Sequence, residues 1–244
     1  MPVRQILLLS FLIMLPMNIF SQKTITFPSK DGLTITADFY AASINDPYLI
    51  LFHQATYSRG EFKETAPKLV KMGFNCLAVD LRSGGEVNFV KNETWLAAQE
   101  KHLGTLYLNS VPDMQAAIDY AYKISGKRVI VFGSSYSASL SLIEAVKNTK
   151  IKAVVAFSPG EYFGEDGLVR NELVGLNIPT FVASSQGEFP YMKPLLSKTY
   201  LNQVTFFKPS KGKGVHASRC LWKDNPNNEE YWLALMLFLG NQKK

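Results

Sequence analysis

The stretch VIVFGSSYSASL, residues 129–140, sets Ser134, Ser135, Ser137 and Ser139 behind a short apolar run. A serine hydroxyl attacks a carbonyl only when a base takes its proton and a further group orients that base. A nucleophile at a sharp strand-to-helix turn also needs small residues two places before and after it, because strand and helix nearly touch there. Ser135 meets this condition, with Gly133 before it and Ser137 after it. Ser134 fails it because Phe132 lies two places earlier, and Ser137 falls one turn into the following helix. Taken alone, the stretch reads equally well as a polar helix N-terminus with capping serines.

The base must come from three histidines. His216 lies in PSKGKGVHASR (209–219), a glycine-rich loop after the last strand-like run, where an imidazole can swing onto Ser135 as general base and later acid. His102 reads as a surface residue. His53 ends an earlier run and is expected to organise its loop by hydrogen bonding, with a place in the substrate pocket as a further expectation. An acid must then hold the imidazole in its working tautomer. Glu188, in the turn SSQGEFP (184–190), is the first choice, and Glu161, in SPGEY (158–162), is the competitor. For the developing oxyanion, the segment LILFHQATYSRG (49–60) nominates the backbone N–H of Ala55, with Gln54 as its neighbour, alongside Tyr136. Tyr57, Glu161 and Tyr162 join His53 as tentative pocket residues. No cofactor or metal site is expected.

The elements that must position these groups follow from periodicity. Residues 23–27 and 33–40 flank the turn SKDG and read as a hairpin. Nearly continuous apolar runs follow at 48–53, 75–81, 128–133, 153–158, 180–184 and 204–208, as strands buried on both faces require. Helical patterns lie between or after them at 61–72, 111–124, 136–147, 191–201 and 229–239, with Ser110 as N-cap and Pro112 in the first turn of the second. The alternation predicts a mostly parallel eight-stranded sheet covered by helices on both faces, with an antiparallel N-terminal hairpin. Residues 84–109 form either a partial lid or a surface excursion with one small helix.

The chain has 244 residues, room for one large α/β domain. Arg4 before an apolar run to Phe20, with Ser21 as a small residue for cleavage, matches a secretory signal peptide over residues 1–21, leaving 22–244 as the domain. The protein is therefore expected to be exported, to the periplasm or beyond, with no membrane span once the signal is removed, a retained N-terminal anchor being the alternative. The net charge of +6 is spread over scattered lysines, with small clusters at Lys211/Lys213 and Lys243/Lys244, which argues against a nucleic-acid partner. Two cysteines, Cys76 and Cys220, make no staple pattern, and whether they pair is open. Oligomeric state is equally open.

The runs LFHQATYSRGEF, GFNCLAVDLRSGG, FGSSYSAS, SSQGE and GKGVHAS together resemble the α/β-hydrolase superfamily, and within it the single-domain, dienelactone-hydrolase-like branch. The resemblance spans roughly residues 24–240. It implies a three-layer sandwich, a Ser135–His216–Glu188 triad and an acyl-serine intermediate, with a small ester or related acyl compound as substrate. Three departures stand out: His53-Gln54 replaces His-Gly, Ser137 replaces the elbow's last glycine, and the acid is glutamate. The nucleophile is serine and not the cysteine of dienelactone hydrolases. A non-catalytic ligand-binding protein on the same scaffold, or a peptidase or thioesterase with the same triad, are the alternatives.

Overall fold

The computed structural model describes residues 21–41 and 43–243. The signal-peptide reading lies outside the described residues, apart from Ser21, which opens the first strand. Among the described residues, no helix is long and apolar enough to cross a membrane.

Eight strands form the main sheet: β1 (Ser21–Pro28), β2 (Thr34–Ala41), β3 (Tyr48–Phe52), β4 (Asn75–Val79), β7 (Val129–Ser134), β8 (Ile151–Phe157), β9 (Thr180–Ala183) and β10 (Val204–Phe207). A separate two-residue ribbon pairs β5 (Glu86–Val87) with β6 (Val90–Lys91). The order across the main sheet is β1-β2-β4-β3-β7-β8-β9-β10. β2 runs antiparallel to both neighbours, and every pairing from β4 to β10 is parallel. The hairpin is therefore antiparallel as expected, but β2 alone is reversed against the sheet.

Burial explains the continuous apolar runs. β3, β4 and β7 are buried at every residue. Side chains alternate between two cores, Ile50, Phe52 and Val131 facing one and Leu49, Leu51 and Phe132 the other. The first core is covered by α2 (Glu93–Glu100), α3 (Val111–Ser125), α4 (Tyr136–Lys147), α5 (Leu168–Glu172) and α6 (Phe189–Leu195). The second is covered by α1 (Thr65–Lys71) and α7 (Asn228–Gly240).

Two helices depart from their predicted bounds and a third from its predicted cap: the pattern over 191–201 is α6, which starts two residues earlier with Pro190 in its first turn and stops at Leu195. The pattern over 61–72 is a 3-10 turn, Arg59–Phe62, followed by α1 from Thr65. Pro67 is the reason: it lacks an N–H and would clash in a helix interior, so the helix restarts where Pro67 falls in the first turn. Ser110 does not cap α3 with its side chain, because it already sits in helical conformation at the end of a 3-10 turn, Tyr107–Ser110. Residues 84–109 hold the ribbon and α2, with the Asn92 side chain capping α2 by accepting the Trp95 N–H at 2.8 Å. Cys76 and Cys220 are both buried and unpaired.

Strand order places the site. From β3 the chain steps one way to β4, then returns to β7 on the other side of β3. At such a switch point the loops leaving two adjacent strands diverge and open a crevice at the strands' carboxyl ends. The loop after β3 carries His53, Gln54 and Ala55, and the turn after β7 carries Ser135.

Candidate active site

β7 passes into α4 through one residue, Ser135, held at φ 60° and ψ −121°. This is the left-handed side of the map, where a serine is strained. The strand and helix approach so closely that a Cβ on Gly133 would lie 2.4 Å from Ala138 Cα and 2.5 Å from the Ser137 carbonyl oxygen. Ser137, the departure from glycine, serves the turn directly. Its Oγ donates to the Phe52 carbonyl at 2.8 Å and accepts the Ser134 N–H at 2.9 Å, joining the elbow to the end of β3. A glycine makes neither bond.

His216 arrives from the loop after β10. Its Nε2 lies 2.9 Å from Ser135 Oγ, and its Nδ1 hydrogen-bonds Glu188 Oε1 on the opposite side of the ring. That pairing assigns the tautomer with the proton on Nδ1 and Nε2 as acceptor. Glu188 stands at the start of α6, and its Oε2 accepts from Ser158 Oγ at 2.8 Å, Ser185 N–H at 2.9 Å and Ser185 Oγ at 2.8 Å. Burial works to raise this carboxyl; hydrogen bonds from His216, Ser185 and Ser158 outweigh it and hold it down to about 2. Glu161, the competing acid, is spent elsewhere: its two oxygens accept the Val169 and Arg170 N–H groups at 2.7 and 3.0 Å, capping α5.

The loop after β3 is organised from behind by His53, which is wholly buried. Nδ1–H donates to the Gln54 carbonyl at 2.7 Å, and Nε2 accepts the Leu81 N–H at 2.9 Å with Asn92 Nδ2 at 3.1 Å. Burial pulls the imidazole down to about 4, against the backbone hydrogen bonds, so it is neutral. His53 therefore orders the loop as expected, and its place in the substrate pocket is withdrawn, since it has no exposed surface. Gln54 is likewise removed from the oxyanion site, because its N–H donates to Glu61 Oε2 at 2.7 Å. With the Gln54 carbonyl pinned by His53, the trans peptide turns the Ala55 N–H the opposite way. The Tyr136 N–H, first in α4, is one of the amides a helix leaves without an internal partner.

Two hollows flank Tyr162. One, of about 370 Å³, is lined by Pro159, Glu161, Tyr162, Glu188, Tyr191 and Leu195 among others. The other, of about 600 Å³, is lined by residues 105–109 with Tyr162 and Phe163, and includes no charged side chain. The Tyr162 hydroxyl donates to the Ser158 carbonyl at 2.8 Å and also lies against Ser135. Tyr107 stacks on Tyr136, the residue after Ser135, with ring centroids 4.6 Å apart. Residues 105–109 therefore act as a pocket wall, while the ribbon packs on the turn Arg59–Phe62 and α2 packs against β2. Tyr57 lines neither hollow. Its ring stacks on Trp222, and its carbonyl accepts from Gly85 N–H and Asn92, which builds it into the loop framework.

Ser134 and Ser139, the serines of the stretch that the elbow condition leaves without a role, are both bonded into the site's framework. Ser134 Oγ donates to Glu61 at 2.6 Å and accepts the Ser218 N–H at 3.0 Å. Ser139 Oγ donates to the Gly160 carbonyl at 2.7 Å and accepts the Gly160 N–H at 2.9 Å, anchoring the segment that carries Tyr162. Ser158 and Glu61 were missed. The available signal for Glu61 was a carboxylate four and eight residues before Thr65 and Leu69, on the inward side of an apolar helical pattern. Ser158 had no such signal.

No protein-family model and no curated protein matches the sequence. The fold does match solved structures. An esterase from Pyrococcus furiosus superposes with a TM-score of 0.69 at 17% identity, over 92% of this chain and 94% of that one. A dienelactone hydrolase from Anabaena variabilis gives 0.68 at 13% identity, over 91% and 98%. An acylaminoacyl peptidase from Pyrococcus horikoshii gives 0.61 at 13%, over 92% of this chain and 42% of that one. The chain has the α/β-hydrolase fold.

Proposed function

We propose that this protein is a serine hydrolase that cleaves carboxylic esters through an acyl-serine intermediate. The observation that carries the reading is the line from Ser135 Oγ to His216 Nε2 at 2.9 Å and on through Nδ1 to Glu188, starting at a residue held at φ 60°. Ser135 Oγ attacks the carbonyl carbon as Nε2 takes its proton, and the Glu188 anion steadies the imidazolium that forms. The carbonyl oxygen, now negative, is received by the Ala55 and Tyr136 N–H groups; one such donor is worth about a hundredfold or more in rate. The tetrahedral species collapses, the C–O bond breaks, and the Nε2 proton passes to the departing alkoxide. Water then repeats the sequence on the acyl-serine, releasing the acid and restoring Ser135.

The hollow formed by residues 105–109, Tyr162 and Phe163 supports a neutral, apolar acyl or alcohol portion. Similarity to an esterase and to a dienelactone hydrolase is compatible with ester chemistry and adds nothing on substrate. A fluorophosphonate probe tests the proposal. The wild type is expected to be labelled on Ser135 by peptide mass spectrometry, and Ser135→Ala is not. A folded wild type that resists labelling overturns it and leaves a ligand-binding role for the scaffold.

A further inference from the structure

Glu61 sits in the turn Arg59–Phe62 and is wholly buried. Its Oε2 accepts the Gln54 N–H at 2.7 Å, and its Oε1 accepts Ser134 Oγ at 2.6 Å and Ser218 Oγ at 2.5 Å. The ring of bonds closes on itself, because Ser134 Oγ accepts the Ser218 N–H at 3.0 Å. The Glu61 carbonyl also accepts the Trp222 indole N–H at 2.9 Å.

Each partner adjoins a group of the candidate site. Gln54 precedes Ala55, Ser134 precedes Ser135, and Ser218 stands two residues past His216. The three partners lie 7, 73 and 157 positions from Glu61 along the chain, so one carboxylate ties together loops that no local structure connects. Among the described residues, no lysine or arginine forms an ion pair with it. A buried carboxylate without a cation is a costly way to fill a core, where an apolar side chain of similar volume is often neutral or better for stability.

We propose that Glu61 is a positioning residue for the acyl-transfer step, holding the Ala55 loop, the Ser135 elbow and the His216 loop in one mutual geometry. The proposal rests on the serine-hydrolase reading. It follows from where the hydrogen bonds go: freeing any one of the three donors loosens the oxyanion amide, the nucleophile or the base against the other two. Misplacement of a reacting group by about 1 Å costs about a hundredfold in rate. Burial pushes the Glu61 carboxyl up, while bonds from Ser134, Ser218 and Gln54 pull against it.

Glu61→Gln keeps the shape but replaces one acceptor oxygen with an NH₂ donor, so whichever way the amide turns, either the Gln54 N–H or the hydroxyl protons of Ser134 and Ser218 lose their acceptor. The test compares wild type, Glu61→Gln, Ser134→Ala and Ser218→Ala. Folding is checked by circular dichroism and Tm, then kcat and KM are measured on a p-nitrophenyl ester with the rate of fluorophosphonate labelling. In folded Glu61→Gln, kcat and the labelling rate are expected to fall at least about tenfold with KM within about threefold, as loss of geometry without loss of binding requires. Ser134→Ala and Ser218→Ala are expected to fall in the same direction by less. A folded Glu61→Gln with wild-type kcat overturns the proposal. Should Glu61→Gln not fold, wild-type kcat in both folded serine variants overturns it instead. A wild type that is not labelled fails the serine-hydrolase reading first and takes this proposal with it, whereas labelled wild type with unaffected variants fails this proposal alone.

Discussion

Ser158 fastens Glu188 to the histidine loop. Its hydroxyl donates to Glu188 Oε2 at 2.8 Å and, through the same oxygen, accepts the Ala217 N–H at 2.9 Å, one residue past His216. Glu188 and the loop that carries His216 are thus held by one side chain at the end of β8. Ser158→Ala removes both bonds and leaves the buried Ala217 N–H without that acceptor. It is expected to lower kcat/KM about tenfold, the rate equivalent of a hydrogen bond to a charged group. Steady-state kinetics on the folded variant checks this.

The two glutamates should separate cleanly. Glu188→Gln removes the charge that supports the imidazolium and is expected to cost about a thousandfold or more in kcat/KM. Glu161→Gln weakens the cap on α5, at an exposed site, and is expected to cost about 1 kcal/mol or less in stability with activity within about threefold. A greater activity loss in Glu161→Gln reverses the assignment of the acid.

Acid should unpick Glu188. Its carboxyl is held at about 2 in the fold, below its ordinary 4.5. A group depressed on folding contributes stability that is complete above its unfolded value and is lost as pH falls toward the folded one. Urea midpoints measured between about pH 6 and pH 2 are expected to show wild type converging on Glu188→Gln through that window. A constant gap between the two across the series contradicts it.

His53 acts over a higher window. The fold holds its imidazole at about 4, below the ordinary 6.5, so the unfolded chain binds a proton that the fold refuses. Its contribution is fully present above 6.5 and is lost as pH falls toward 4. His53→Gln is expected to lack this component, which the slope of stability against pH between those values measures.

Gly133 admits no side chain. The Cβ of Gly133→Ala would strike the backbone of Ser137 and Ala138, neither of which can yield without moving α4 off β7. A loss of at least about 3 kcal/mol is expected by denaturant unfolding, with labelling of Ser135 reduced in whatever fraction still folds.

The features legible in the sequence were those written in neighbouring residues. Continuous apolar runs marked six of the eight main-sheet strands, because a strand buried on both faces must be apolar at nearly every position, and the turn SKDG between two strand-like segments marked the hairpin of β1 and β2. The small residues around Ser135 were readable because elbow sterics act over two positions. Glu188 and His216 were readable because each follows a strand end. The two-residue ribbon was invisible, since four residues carry no periodicity. The break before α1 was missed by reading apolar spacing and overlooking Pro67.

By itself, the sequence determined the strands, their alternation with helices and the chain order of Ser135, Glu188 and His216. Only the tertiary structure decided what each polar group is bonded to. Gln54 and Ala55 look alike as oxyanion donors until Glu61 is seen to take the Gln54 N–H. Glu161 and Glu188 both follow strands, but α5 claims one and His216 the other. Ser134 and Ser218 meet on Glu61 only because strand order folds β7 beside β3 and brings the His216 loop over them. Hydrophobic pattern is a local property of the chain, whereas the pairing of a buried donor with its acceptor depends on which distant loop the topology sets against it.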